Sequence, residues 1–125
     1  MMKYLLALCI VVGGLFFFMQ HGSTKELVQY AELEKKLAAQ AGFVLLDVRT
    51  QEEYNEGHIP GAVLLPYDRI AAAAAVTLPN KSKEIIVYCR SGRRSAIAAE
   101  TLGKLGYTNV ADFGGISRWK GQLEK

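Results

Sequence analysis

Segments typical of strands and segments with helical spacing alternate along most of the chain. Strands are predicted over residues 43–48, 63–65, 84–88 and 109–113, and the first is a largely apolar run of the kind buried on both faces of a parallel sheet. Helices are predicted over residues 24–41, where Thr24 is the cap, 52–56, 68–76 and 95–105, followed by a terminal helix that carries Trp119. This alternation indicates an α/β domain with a small, mostly parallel central sheet flanked by helices.

The N-terminus has a different character. Residues 4–19 contain no charged side chain, and Lys3 precedes them. As a helix, these sixteen residues would span about 24 Å, which is short of the roughly 30 Å hydrocarbon core of a bilayer. We therefore predict that residues 1–21 form a signal peptide or a transmembrane signal anchor, which would attach the protein to a membrane if it stays uncleaved. The folded domain is predicted to comprise residues 22–125.

Either form of that segment predicts export, because the positive N-terminus stays in the cytoplasm. In a bacterium the domain would then lie in the periplasm or on the periplasmic face of the inner membrane. No clean small-x-small cleavage site precedes the domain, which favours an uncleaved anchor over a cleaved signal without deciding between them.

Charge and cysteine content exclude several function classes. The net charge of the 125 residues is only +3, and no basic block or aromatic ladder indicates nucleic acid as a partner. The two cysteines are Cys9, in the apolar N-terminal segment, and Cys89. The domain therefore holds one thiol without a resolving partner, which argues against a dithiol oxidoreductase and against a disulfide-stapled fold. We predict neither a metal nor a cofactor.

Cys89 carries the strongest chemical signal in the chain. It follows a predicted strand and opens a compact loop that leads into a predicted helix, and the loop holds three of the six arginines. Successive backbone amides at a helix N-terminus form a cradle for an anion, and the same field favours the thiolate of a cysteine inside it. The candidate site therefore comprises Cys89 as the nucleophile and the loop residues Arg90, Ser91, Gly92, Arg93, Arg94 and Ser95. Asp47 and Arg49 follow another strand and are expected at the same sheet edge, in a supporting role.

Four motifs stand in order along the chain: Leu46-Asp47-Val48-Arg49 with Glu53-Tyr54, then residues 57–62, the loop 89–95, and Gly114-Gly115 with Trp119. With these motifs, residues 24–121 resemble a single-domain rhodanese-like sulfurtransferase. The resemblance implies the rhodanese-like three-layer fold. It also implies transfer of a sulfane sulfur through a persulfide on Cys89, from a small anionic donor such as thiosulfate to cyanide, a thiol or a protein thiol.

The resemblance and the loop chemistry together suggest individual roles. The amides of residues 90–95 would stabilise the thiolate or persulfide, Gly92 would allow the sharp turn, and Ser95 would cap the helix that follows. A hydrogen bond from the Ser95 hydroxyl to sulfur is a further possibility. His58 lies in a turn motif, where a structural hydrogen bond is favoured over a role as a base.

The arginines are open to more than one assignment. Arg90 is expected to be held by Asp47. Either Arg93 or Arg94 would bind the sulfonate end of the donor, since guanidinium matches oxyanion geometry, and the other would face solvent. Arg49 would reach the mouth of the site or pair with Glu52 or Glu53 on the surface.

Two other functions compete with sulfur transfer. A phosphatase or arsenate reductase of the Cys-x5-Arg type also uses a thiolate in an anion loop, but its arginine would fall at position 95, where this chain has Ser95. A non-catalytic rhodanese-like module for binding or regulation is the second. Inactive members commonly lose the cysteine, whereas this chain retains Cys89.

Overall fold

The computed structural model describes residues 26–125. The predicted signal or anchor segment, Cys9 and the Thr24 cap all lie outside this range. Within residues 26–125, no helix is both long enough and apolar enough to cross a membrane.

Four parallel strands form one sheet in the order β2-β1-β3-β4. The strands are β1 (Val44–Asp47), β2 (Val63–Leu64), β3 (Ile85–Cys89) and β4 (Val110–Gly115). The helices are α1 (Tyr30–Ala38), α2 (Gln51–Glu56), α3 (Ile70–Thr77) and α4 (Arg93–Lys104), with 3-10 turns at Tyr67–Arg69 and Ile116–Arg118. The predicted α/β class with a parallel central sheet is confirmed.

Two apolar clusters cover the two faces of the sheet and create the three layers. Neighbouring residues of β1 point to opposite faces, so Leu45 belongs to one cluster and Leu46 to the other. Every residue of the central strand β3 is buried, as expected of a parallel strand covered on both sides. Each buried leucine or isoleucine contributes about 1.5–3 kcal/mol through removal of its side chain from water. The clusters thus hold β3, and Cys89 at its end, in the middle of the molecule.

Two predicted helices differ from the structure. The first helix begins only at Tyr30, because the preceding segment is extended and the Val28 amide donates to the Asp112 carbonyl at the edge of β4. The terminal helix carrying Trp119 is wrong: a single 3-10 turn ends at Arg118, and Trp119 is extended. The Trp119 ring packs edge-on against Tyr30 at 5.2 Å, so packing and not helical periodicity places this aromatic residue.

Candidate active site

Cys89 is the last residue of β3, at the carboxyl edge of the sheet, and is fully buried. The chain reverses immediately after it at Gly92, whose φ of +104° lies in the left-handed region that favours glycine. This conformation directs the Gly92 amide back at the sulfur, and its N–H donates to Cys89 Sγ over 3.0 Å. Helix α4 starts at the next residue, so the thiol sits beneath a turn and beside a helix N-terminus.

Opposing influences set the protonation of this thiol. Burial raises the pKa of Cys89, but hydrogen bonds from the Ser95 hydroxyl and from the amides of Ser95, Gly92 and Ser91 lower it by more. The net result is a pKa below the ordinary value for cysteine. Hydrogen bonds to the charged form favour that form, which is how a buried sulfur becomes a thiolate.

Ser95 contributes to the site differently from the prediction. The expectation that it caps the helix is wrong, since α4 begins two residues earlier and Gly92 occupies the N-cap position. Ser95 is instead buried in the first turn, where its hydroxyl faces two acceptors, the sulfur and the Gly92 carbonyl oxygen at 3.1 Å, and donates its single proton to one of them at a time. The residue therefore braces the turn from inside and faces the sulfur.

The three loop arginines have different surroundings. Arg94 forms two hydrogen bonds with the Glu53 carboxylate, of 2.7 and 2.9 Å, which fasten α2 to the start of α4. These bonds lower the pKa of Glu53 to about 2 and raise the pKa of Arg94. Arg90 and Arg93 are exposed, and neither guanidinium has a hydrogen bond or ion pair with any residue in the described range. The cations available to an incoming anion are thus Arg90 and Arg93.

Asp47 does not hold Arg90, so that expectation is wrong. Its carboxylate is fully buried and accepts from the Arg49 guanidinium at 2.7 Å and from the Tyr88 hydroxyl at 2.8 Å. Tyr88 in turn accepts from the Ile59 amide, and Arg49 also donates to the Gly57 carbonyl. The carboxylate selects Arg49 because that residue lies two positions away and folds back over the end of the same strand.

Arg49 consequently neither reaches the mouth of the site nor pairs with Glu52 or Glu53; both expectations are wrong. Burial lowers the pKa of Arg49, but its bonds to Asp47 outweigh this and raise it. Burial also raises the pKa of Tyr88, so its hydroxyl stays protonated and keeps donating. Asp47 and Arg49 thus form a buried pair at the end of β1, and the hydrogen bond from Tyr88 to Asp47 links this pair to β3.

His58 has a structural environment. Its Nδ1 lies 2.9 Å from the Tyr54 carbonyl oxygen, and its ring stacks on the Tyr54 ring at a centroid distance of 3.7 Å. Its backbone pairs with that of Glu124, which holds the C-terminal segment against this turn. Among residues 26–125, no group of three His, Cys, Asp or Glu side chains is placed to hold a metal ion.

Comparison with known proteins agrees with this geometry. A family model described as a rhodanese-like domain matches residues 29–122. The chain belongs to the rhodanese-like domain family. It is 38% identical over 71 residues to thiosulfate sulfurtransferase PspE of Escherichia coli strain K12, a match covering 57% of this chain and 68% of that protein. It is 33% identical over 106 residues to YrkF of Bacillus subtilis strain 168, covering 84% of this chain but only 56% of that longer relative.

A solved structure has a similar fold. The structure titled "rhodanese with anions from E. coli" superposes with a TM-score of 0.62 at 34% sequence identity. The match covers 66% of this chain and 96% of that one.

Two contacts in this rhodanese-like domain could not be predicted from the sequence. Glu53 belongs to a sequence motif, yet its partner Arg94 lies 41 positions away, and nothing in the sequence distinguishes Arg94 from the other loop arginines. Tyr67 packs against the cluster that contains Cys89, and it lies close enough to Arg94 to help raise the pKa of that residue. No spacing rule connects Tyr67, in a 3-10 turn after β2, with the loop after β3.

Proposed function

We propose that the protein is a sulfurtransferase that carries a sulfane sulfur as a persulfide on Cys89. The observation that carries the proposal is the buried sulfur at the end of β3, with loop amides directed at it and two unpaired arginines outside it. Membership of the rhodanese-like domain family, with a relative named thiosulfate sulfurtransferase, supports the same reaction.

The reaction needs a nucleophile but no base. The Cys89 thiolate attacks the outer sulfur of thiosulfate, a new S–S bond forms to Cys89 Sγ, and the S–S bond of thiosulfate breaks. Sulfite leaves with the electron pair, so one thiolate and one dianion yield one persulfide anion and one dianion. An acceptor, either cyanide or a thiolate, then attacks the outer sulfur and releases the Cys89 thiolate. The loop amides stabilise the negative sulfur at each stage, as an oxyanion hole does.

The arrangement of arginines favours an anionic donor. Arg90 and Arg93 offer exposed positive charge near the loop, whereas the charge of Arg94 is already matched by Glu53. Arg94 is therefore assigned to holding the loop, and the sulfonate end of the donor is assigned to Arg90 and Arg93.

Intact mass spectrometry of the full chain tests the proposal. A Cys9→Ser background leaves Cys89 as the single cysteine, and Cys89→Ser added to it is the matched control. After incubation with thiosulfate and removal of the excess, the mass is expected to rise by one sulfur atom, and cyanide is expected to remove it. The control should gain nothing. A reduced, alkylatable Cys89 that gains no sulfur from thiosulfate or a panel of persulfide donors would instead favour the non-catalytic module.

A phosphatase or arsenate reductase is less consistent with this site. Position 95 holds a serine whose hydroxyl bonds to the Gly92 carbonyl, and the neighbouring Arg94 is engaged by Glu53. No guanidinium is therefore free at the position where such an enzyme clamps its tetrahedral anion. Cys89-dependent hydrolysis of an aryl phosphate would reverse this assignment.

We also propose, from the sequence alone, that residues 1–21 export the domain. Their uncharged run behind Lys3 motivates the proposal. Mass analysis of the protein recovered from its source, after separation of membrane and soluble fractions, tests it. A processed N-terminus indicates a cleaved signal, an intact N-terminus in membranes indicates an anchor, and an intact N-terminus in the cytoplasm would contradict export.

A further inference from the structure

The end of β4 lies directly against the loop of residues 89–95, which we call the reactive loop. The register of β3 and β4 shifts after Val87, so that Tyr88 pairs with Gly114 and Cys89 pairs with Gly115. This irregularity leaves one extra residue in β4 and turns the strand, as a β-bulge does. The Asp112 carboxylate stabilises the turn, because its Oδ1 accepts from the Gly114 amide over 2.8 Å.

At Gly115 the two backbones approach too closely for any side chain. A Cβ placed there would lie 2.6 Å from the Arg90 carbonyl oxygen, 3.2 Å from Ser91 Cα and 3.3 Å from the Arg90 carbonyl carbon. All three are backbone atoms of the loop that bears the sulfur-binding amides. Separations below about 3.0 Å do not occur for real Cβ atoms, so one backbone would have to move.

We propose that Gly115 is a positioning residue for the reaction of Cys89: its bare backbone lets β4 support the Arg90–Ser91 segment, and that support keeps the loop amides directed at the sulfur. The proposal rests on the proposed role of Cys89 as the reacting thiolate. The same support reaches the turn itself, since a Cβ on Gly92 would lie 3.9 Å from both Gly114 Cα and Gly115 N.

The addition of a single methyl group at Gly115 tests the inference, because the backbone conformation there suits alanine as well as glycine. Its φ of −85° and ψ of 147° are ordinary extended values that alanine adopts without strain. Gly115→Ala therefore introduces only the contact with Arg90 and Ser91. The substitution alters no charge on the groups around the thiol, namely Arg90, Arg93 and Arg94 of the loop and α4, and Tyr67 of the 3-10 turn.

The test is the pH profile of Cys89 alkylation by iodoacetamide, measured on the full chain in a Cys9→Ser background. Displaced amides stabilise the thiolate less, so Gly115→Ala is expected to raise the midpoint by about one pH unit. Below that midpoint, alkylation should be roughly tenfold slower at a given pH. The matched control is Gly103→Ala in α4, where an added Cβ meets nothing within 4 Å, and its midpoint is expected to equal that of the parent.

Circular dichroism and thermal melting establish whether each variant is folded. An unchanged midpoint in folded Gly115→Ala overturns the inference. If that variant does not fold, the same pH profile is measured on Asp112→Ala. This substitution loosens the turn of β4, because it removes the acceptor of the Gly114 amide and adds no atoms. A raised midpoint there supports the inference, and an unchanged one overturns it. Alkylation needs no sulfur transfer, so a raised midpoint in a chain that forms no persulfide refutes the proposed function and leaves standing only the support of the loop amides by Gly115.

Discussion

At the scale of single residues, Cys89 shows how hydrogen bonds lower the pKa of a buried thiol. Removal from water raises its pKa, and hydrogen bonds from one hydroxyl and several amides more than offset this effect. No charged side chain needs to touch the sulfur for this to happen. The arginines are therefore free for other tasks, and only two of the three in the loop remain unpaired within residues 26–125.

Arg90→Ala and Arg93→Ala are each expected to raise the KM for thiosulfate two- to fivefold with little change in kcat. Exposed charges attract an anion by less than about 1 kcal/mol each, and they are screened by salt. Wild-type activity should accordingly fall as ionic strength rises, and the double variant should lose most of that dependence. Steady-state kinetics at several salt concentrations measure both effects.

The matched control is Lys104→Ala, which removes an exposed cation from the far end of α4. Its KM should match that of the wild type. A wild-type KM for thiosulfate that does not depend on salt would contradict recruitment of the anion by Arg90 and Arg93.

At the scale of secondary-structure elements, the pair between Glu53 and Arg94 joins α2 to α4. Each side chain is 18% exposed, so the pair is shielded more than a surface ion pair. Glu53 also closes the capping box of α2 with Thr50. The Glu53 carboxylate therefore stabilises the start of α2, which follows β1. It also binds Arg94 at the start of α4, which follows β3.

Loss of this pair should appear as a pH-dependent change in stability. The pKa of Glu53 is about 2 in the folded protein against 4.5 ordinarily, so its contribution is complete above about pH 4.5 and is lost as the pH falls towards 2. Glu53→Gln retains a side chain suited to the capping box and removes the charge. Urea unfolding should show the wild type more stable by about 2 kcal/mol at pH 7, with the difference vanishing near pH 2.

Glu100→Gln is the control, because Glu100 pairs with Lys104 on the exposed face of α4. It should change stability little at any pH. A difference between the wild type and Glu53→Gln that stays constant from pH 7 to pH 2 would contradict the assignment of the low pKa to Glu53.

At the scale of the whole molecule, a buried polar network beneath the site connects distant segments. Asp47 at the end of β1, Arg49 after it and Tyr88 in β3 are joined by hydrogen bonds, and they reach Ile59 and Gly57 in the turn before β2. Tyr88 and Ile59 both belong to the apolar cluster that contains Leu45, so the network lies on that side of the sheet, at its carboxyl edge. The network therefore fixes the strand ends that carry the reactive loop.

Asp47→Asn is expected to destabilise the domain by about 3–5 kcal/mol, since it leaves the Arg49 guanidinium buried without a counter-charge. Tyr88→Phe removes two hydrogen bonds, the one donated to Asp47 and the one accepted from the Ile59 amide, at a cost of about 1–3 kcal/mol. Chemical unfolding of both variants at pH 7 gives the comparison. If both variants lose the same free energy of unfolding, the negative charge of Asp47 contributes no more to stability than a neutral hydrogen-bond acceptor would.

The fold and the position of Cys89 at the end of β3 were predictable because the signals behind them are local. Apolar runs of strand length between segments of helical spacing predict the parallel sheet, and the position of Cys89 between a strand and a helix predicts its place at the sheet edge. Gly92 was also predictable as the residue that turns the loop, because only glycine readily adopts its φ of +104°.

The class of fold, the family motifs and the thiol with its amide cradle could therefore be predicted from the sequence. The partner of each charged side chain became known from the fold: Arg49 rather than Arg90 for Asp47, and Glu53 for Arg94. The fold also showed that Gly115 lies against Arg90. The physical reason is that periodicity and turn conformation depend on neighbours in the chain, whereas ion pairs and close backbone contacts depend on distances across the sheet, for which several arginines and glycines are chemically equivalent candidates.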